Sequence, residues 1–277
     1  MALAGETYGD SAGPPVLFFH GGGQSRSAWR GSARKVAEAG FYGISFDLRG
    51  HGESDWANDG DYLLDAYGRD IAEIITHFDR PVTLVGASRG GQSALVGAAK
   101  YIASENGIAE NIRLIMLADV APDMINEGVD GIRQFYAKGE TGFASFADAA
   151  SSLHRHLGQP LMDDPQRLEK SMRKDEAGRL HWHWDPKTGA QEFLNPPSEN
   201  QSVLAGAAGV SCPLVLVRAE HSHLLTDAGV AHFKELAPQL EILWARGAHH
   251  MFTADRNDSF AAQLLDCLAR YPERRSL

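Results

Sequence analysis

Residues 83–94 read TLVGASRGGQSA and place Ser88 between Gly86 and Gly90. A β-forming apolar run leads in, and a small-residue run suited to a buried helix leads out. A Gly-x-Ser-x-Gly turn in that setting is a nucleophile elbow. The bend leaves no room for side chains at the flanking glycines, and it lifts the serine hydroxyl above a sheet with a helix N-terminus beneath it. A glycine-rich phosphate loop is excluded, because no Gly-Lys-Ser/Thr follows and the spacing is not G-x-G-x-x-G. A free serine hydroxyl is a weak nucleophile, so the chemistry needs a base within hydrogen-bond reach. A histidine of near-neutral pKa suits that task.

These groups must be positioned by the surrounding elements. Strand-length apolar runs recur at 14–22 (PPVLFFHGG), 41–52, 80–88, 112–122, 212–220 and 240–250. Each ends in glycine or polar residues, and helical stripes such as Ile71, Ile74, Ile75 and Phe78 lie between several of them. Alternation of this kind predicts an α/β protein with a doubly wound, mostly parallel sheet. Residues 123–209 break the rhythm and read as helices and loops with no convincing buried strand. The predicted organisation is therefore a core of 1–122 and 210–277 with a helical lid inserted at 123–209. The lid carries Phe135, Tyr136, Phe143, Phe146, Trp182 and Trp184. Together with Trp29 and Trp56 from the core loops, they predict a largely apolar cleft, and Trp29, Trp182 and Trp184 are the expected substrate-binding side chains. The insertion reads as too small and too aromatic to close a core of its own.

The net charge of −10 argues against nucleic acid or an anionic membrane as partner and favours a neutral or apolar small molecule. No run approaches the ~18 apolar residues of a membrane span, and MALAGETYGDSAG has no basic or apolar leader segment. Cys212 and Cys267 form no CxxC pair and read as buried thiols. A cytoplasmic protein without a cofactor is expected.

Several stretches together resemble the α/β-hydrolase superfamily over nearly the whole chain: HGGG at 20–23, FDLRGHGESD at 46–55, the elbow at 86–90 and GAHHMFTADRND at 247–258. More narrowly, HGGGQSRSAW, WHWDP and HHMFTADRND are similar to lid-bearing bacterial hydrolases of an esterase or peroxidase-like group. The resemblance implies His250 as the base, with His249 standing where relatives usually have glycine. It also implies that the oxyanion is held by the backbone N–H groups of Gly22 and Arg89.

The acid departs from that pattern. Relatives usually carry an aspartate a few residues past the strand that ends here in VLVRAE, and the matching position holds His223. A histidine cannot stabilise the imidazolium that forms on the base. Asp119, at the tip of LIMLADVAP, is the preferred substitute, because some α/β-hydrolases place their acid after that strand. Glu220 is the second choice, Asp227 reads as a helix N-cap or first-turn residue, and a site without a functional acid is the remaining alternative. His221, His223, His249 and His250 could in principle gather a transition metal. Their spacing matches no specific motif, and metal on His250 would remove the base, so no metal is expected.

The resulting expectation is a serine hydrolase of a carboxylic ester or lactone working through an acyl-enzyme. Carbon–carbon bond hydrolysis, or a small-molecule receptor that kept the fold without turnover, are the alternatives; perhydrolysis is a conceivable side activity. The N-terminus begins near the family's second strand, and an exposed sheet edge hints at a homodimer.

Overall fold

The computed structural model describes residues 1–104, 107–123, 136, 139, 141–157, 161–189, 197–249 and 257–272. Seven strands make the main sheet: β1 (Gly5–Tyr8), β2 (Pro15–Phe19), β3 (Tyr42–Phe46), β4 (Val82–Ala87), β5 (Ile112–Ala118), β8 (Leu214–Ala219) and β9 (Leu240–Ala245), in the order β1-β3-β2-β4-β5-β8-β9. All neighbours are parallel except β1, which runs antiparallel along β3 from Gly5 opposite Phe46 to Tyr8 opposite Gly43. The six longer strands lie within the predicted apolar runs. β1 was not anticipated, because GETY is short, mostly polar and only half-covered.

The parallel strands at the centre are buried on both faces, so their apolar residues feed two cores alternately. Leu17 and Phe19 of β2, with Ile115 and Leu117 of β5, join one core. Its helices are α2 (Leu64–Thr76), α3 (Arg89–Ile102), α5 (Pro197–Gly209) and α6 (Asp227–Leu236). Val16 and Phe18, with Leu114 and Met116, join the other, under α1 (Arg30–Glu38) and α7 (Asn257–Arg270).

Above the carboxyl ends of the strands lies the insertion, which contains α4 (Phe146–Leu157) and a short hairpin of β6 (Met172–Lys174) and β7 (Leu180–Trp182). Two expectations are corrected here. The insertion does hold a small apolar cluster of its own, built from Tyr136, Phe143, Leu168, Met172, Leu180, Trp182 and Trp184. It also contains strand pairing, in three-residue strands too short to show an alternating pattern in sequence. Val203 and Ala207 of α5 pack into the main core, and Gly206 lies against the α3 backbone at Leu95.

The insertion is tied to the core along one seam. The Gly52 amide donates to the His183 carbonyl (2.8 Å), and the Asp185 amide donates to the Gly50 carbonyl (2.8 Å). The Tyr62 hydroxyl donates to the buried Asp185 carboxylate (2.6 Å) and accepts from the Ala57 amide (2.9 Å).

Candidate active site

Ser88 ends β4 and opens α3 with φ 47° and ψ −121°, a backbone conformation that costs a non-glycine residue on the order of 1–3 kcal/mol. The glycines around it are required by space. A Cβ on Gly90 would lie 2.3 Å from the Phe19 carbonyl oxygen, and one on Gly86 would lie 2.6 Å from the Gly90 carbonyl oxygen. Helix and strands approach too closely there for any side chain.

The loop after β2 faces the serine: a methyl group on Gly21 would stand 3.4 Å from the Ser88 Cβ. Three successive glycine amides compete for attention in this loop. The Gly21 N–H donates to Gln24 Oε1 (2.9 Å), and the Gly23 N–H donates to His51 Nε2 (3.2 Å). Of the three, only the Gly22 N–H has no acceptor among the described residues. The Arg89 N–H is the first amide of α3, where helix geometry supplies no intrahelical acceptor.

Two buried histidines shape this loop. His20 Nε2 accepts from the Leu48 amide (3.0 Å), so its proton lies on Nδ1, which donates to the Gly21 carbonyl (2.7 Å). His51 Nε2 accepts from Gly23, so its Nδ1 donates to the Arg49 carbonyl (2.9 Å). Burial keeps both neutral. It lowers the His20 pKa, and with help from nearby His20 and Arg89 it lowers that of His51 to about 3. Neutral rings are what the loop needs, because an imidazolium could accept nothing from an amide.

On the other side of Ser88, Asp119 is fully buried at the end of β5. Its Oδ1 accepts from the Ala219 amide (2.9 Å) and its Oδ2 from the Ser222 hydroxyl (2.8 Å). Ser222 Oγ also accepts from the Leu225 amide (3.1 Å), so the whole 219–225 turn is folded over the Asp119 carboxylate. Glu220 points elsewhere. Its carboxylate takes the Gly247 amide (2.6 Å), which with the Arg246 guanidinium holds its pKa below the usual range. Asp227 is a first-turn residue of α6 paired with Arg218 (2.6 Å), and Thr226 is the N-cap.

A strained serine between strand and helix, a glycine loop beside it and a buried carboxylate one strand over share the carboxyl edge of the sheet. The family model for the alpha/beta hydrolase fold matches residues 14–254. The chain belongs to the alpha/beta hydrolase fold family. Among curated relatives, it is 35% identical over 123 residues to the non-heme chloroperoxidase CPO-A1 of Kitasatospora aureofaciens, a match to 43% of this chain and 42% of that protein. It is 27% identical over 251 residues to the 2-(acetamidomethylene)succinate hydrolase of Mesorhizobium japonicum, covering 86% and 82% of the two chains. It is 24% identical over 257 residues to the esterase Rv0045c of Mycobacterium tuberculosis, covering 90% and 78%. The crystal structure of an E-2-(acetamidomethylene)succinate hydrolase superposes with a TM-score of 0.79 at 24% identity, over 95% of this chain and 94% of that one, which is a likeness of fold. The protein is thus a hydrolase of the α/β fold.

Ser88, Gly22, Arg89 and Asp119 of this hydrolase lie at the carboxyl edge of the sheet. His250 lies outside the described residues, as does Phe135. His223 is exposed, so it takes no buried place at the position where relatives usually carry the acid. His221 and His249 approach with ring centroids 5.2 Å apart. No group of three or more potential metal ligands forms among the described residues, which do not include His250.

Of the tryptophans, Trp184 is buried within the insertion, bridged to His51 through its backbone and stacked on Trp182 with centroids 5.0 Å apart. Trp29 is a correction. It is fully buried between Phe18 (5.5 Å) and Phe260 (5.3 Å), on the sheet face opposite α3. A large ring at the start of α1 fills the gap between β2 and α7 rather than lining the cleft. Trp56 is 41% exposed, with the Arg173 guanidinium of β6 5.5 Å above its ring. Sequence reasoning missed His51, Gln24 and Ser222 as organisers of the site, and nothing local to those residues announces the role. No described helix is long and apolar enough to cross a membrane.

Proposed function

We propose that this hydrolase cleaves a carboxylic ester or lactone through an acyl-enzyme on Ser88. In this reading His250 takes the Ser88 proton as the hydroxyl attacks the carbonyl carbon. The Gly22 and Arg89 N–H groups receive the developing oxyanion, and Asp119 orients the imidazole. His250 then protonates the leaving alcohol, and water releases the acid by the same steps in reverse roles. The observation that carries the reading is the disposition of amides in the loop beside Ser88: the flanking Gly21 and Gly23 N–H groups are tied down, while that of Gly22 has no acceptor among the described residues. The similarity to an esterase and to a 2-(acetamidomethylene)succinate hydrolase supports a hydrolytic reaction. A small-molecule ester or lactone, with no cofactor, is the proposed partner.

The test is covalent labelling by a fluorophosphonate beside hydrolysis of p-nitrophenyl butyrate. Rapid labelling and turnover, both lost in Ser88→Ala with the fold intact, support the reading. Failure of the wild-type protein to label would instead favour a receptor that kept the fold.

A further inference from the structure

The glycine loop beside Ser88 is held through its peptide planes. The first plane joins Gly21 to Gly22. Its carbonyl, that of Gly21, accepts from His20 Nδ1 (2.7 Å) and from the Gln24 amide (3.2 Å). In a planar trans peptide the N–H points opposite to the carbonyl, so these two bonds also aim the Gly22 N–H. The second plane joins Gly22 to Gly23, and its N–H donates to His51 Nε2 (3.2 Å). Glycine has the widest backbone freedom of any residue. Fixing the planes on both sides of the Gly22 Cα removes that freedom.

The two planes answer to different parts of the molecule. His20 is anchored in the core through the Leu48 amide (3.0 Å). His51 lies against it, with ring centroids 5.0 Å apart, but the backbone of His51 belongs to the seam with the insertion. There it forms an antiparallel bridge with Trp184. On either side of it, the Gly52 amide donates to the His183 carbonyl and the Asp185 amide donates to the Gly50 carbonyl (2.8 Å each). The ring is buried, and its Nδ1 is bonded to the Arg49 carbonyl (2.9 Å), so it cannot turn independently of that backbone. A shift of residues 50–52 is therefore carried to Nε2. The bond from Gly23 is already at the long end of the normal range, and a further displacement of about 0.5–1 Å takes it out of reach.

We infer that His51 is a positioning residue that couples the seating of the insertion to the direction of the Gly22 oxyanion amide. This rests on the acyl-hydrolase reading above and deepens it: the insertion acts on the chemical step and not only on access to the site. His51 touches no reacting atom and works through Gly23 and Gly22. An oxyanion donor is worth most where charge develops in the transition state. Misaiming it therefore lowers kcat and kcat/KM together and leaves KM nearly unchanged.

Two variants separate the acceptor from the ring. His51→Phe keeps a buried ring and removes the acceptor, whereas His51→Gln offers its Oε1 to the Gly23 N–H. With p-nitrophenyl butyrate, kcat should fall about tenfold to hundredfold in His51→Phe at nearly constant KM, short of the ~10²–10³-fold loss when an oxyanion donor is removed outright. His51→Gln should recover most of that loss. Equal kcat in His51→Phe and the wild type, or a His51→Gln as impaired as His51→Phe, would overturn the positioning role. Coupling to the insertion is read in the wild-type protein by native-state hydrogen exchange at low urea. The amides of Gly23, Gly52 and Asp185 should open as one cooperative unit, with the same free energy and the same dependence on urea. Exchange of Gly23 well before or well after the two seam amides would overturn the coupling, and this arm decides it even where His51→Phe does not fold. The exchange needs no turnover. A wild-type protein that labels with no fluorophosphonate sinks the hydrolase reading, while common opening of the three amides still upholds the link between insertion and loop.

Discussion

Ser88 and Asp119 occupy the same place on neighbouring strands. Ala87 of β4 pairs with Ala118 of β5, and the next residue on each strand turns into positive φ, 47° for Ser88 and 48° for Asp119. Both side chains are thereby presented at the carboxyl edge of the sheet, where open α/β sheets bind their ligands. The pairing puts a carboxylate one strand away from the nucleophile, and the Ala219 amide of β8 and the Ser222 hydroxyl of the turn after it hold it there.

If Asp119 orients the base, Asp119→Asn should leave the fold intact and favour the wrong imidazole tautomer. A drop in kcat of two to four orders of magnitude, roughly 3–5 kcal/mol, is expected. Glu220→Gln should cost little activity, since Glu220 bonds to Gly247 and Arg246 outside the site. Steady-state kinetics of the two variants decide the matter: a crippled Glu220→Gln beside a mild Asp119→Asn would transfer the role.

Backbone strain at Ser88 should be visible as stability. Glycine accepts positive φ without cost, so Ser88→Gly relieves about 1–3 kcal/mol of strain and loses about 0.5–1 kcal/mol to the greater freedom of the unfolded chain. The melting temperature of Ser88→Gly should lie a few degrees above that of Ser88→Ala, both being inactive. Equal or reversed melting temperatures would mean that the elbow stores no strain.

The buried histidines predict a pH dependence. The His51 pKa falls from 6.5 to about 3 on folding, so between those values the unfolded chain binds the proton and the folded chain does not. This contribution to stability is complete above pH ~6.5 and is lost as pH falls toward 3, at no more than about 1.4 kcal/mol per pH unit. His20 adds in the same direction. Urea unfolding from pH 7 to 4 should show a slope that His51→Gln reduces by about one proton; an unchanged slope would show that the ring titrates normally.

The clamp between Tyr62 and Asp185 should govern how firmly the insertion is held. Tyr62→Phe removes the donor to a buried carboxylate, and an unsatisfied group of that kind costs about 1–3 kcal/mol. Limited proteolysis should cut within 141–189 faster in the variant, while the core helices stay protected. Identical cleavage rates would assign the hold to the backbone seam at Gly50 and Gly52 alone.

The local chain determined much of this protein. Strand runs and helical stripes follow from side-chain periodicity within a dozen residues, and the elbow follows from glycines whose missing side chains the turn demands. Those features therefore stand where the amino-acid order put them, in β2 to β5, β8 and β9, with Ser88 at the tip of β4. The choice among carboxylates was not local, because Asp119 and Glu220 both follow strands and look alike in sequence. It was decided by the Ala219 amide and the Ser222 hydroxyl, which reach Asp119 from about a hundred positions away, and by Gly247, which turns Glu220 aside. Trp29 and Trp184 are likewise both large rings in loops. One entered the core and the other roofed the site because of the neighbours that tertiary packing brought to each, Phe18 and Phe260 in the first case and His51 and Tyr136 in the second. Periodicity is a property of neighbours along the chain, whereas burial and hydrogen-bond partnership depend on neighbours in space, and only folding sets those.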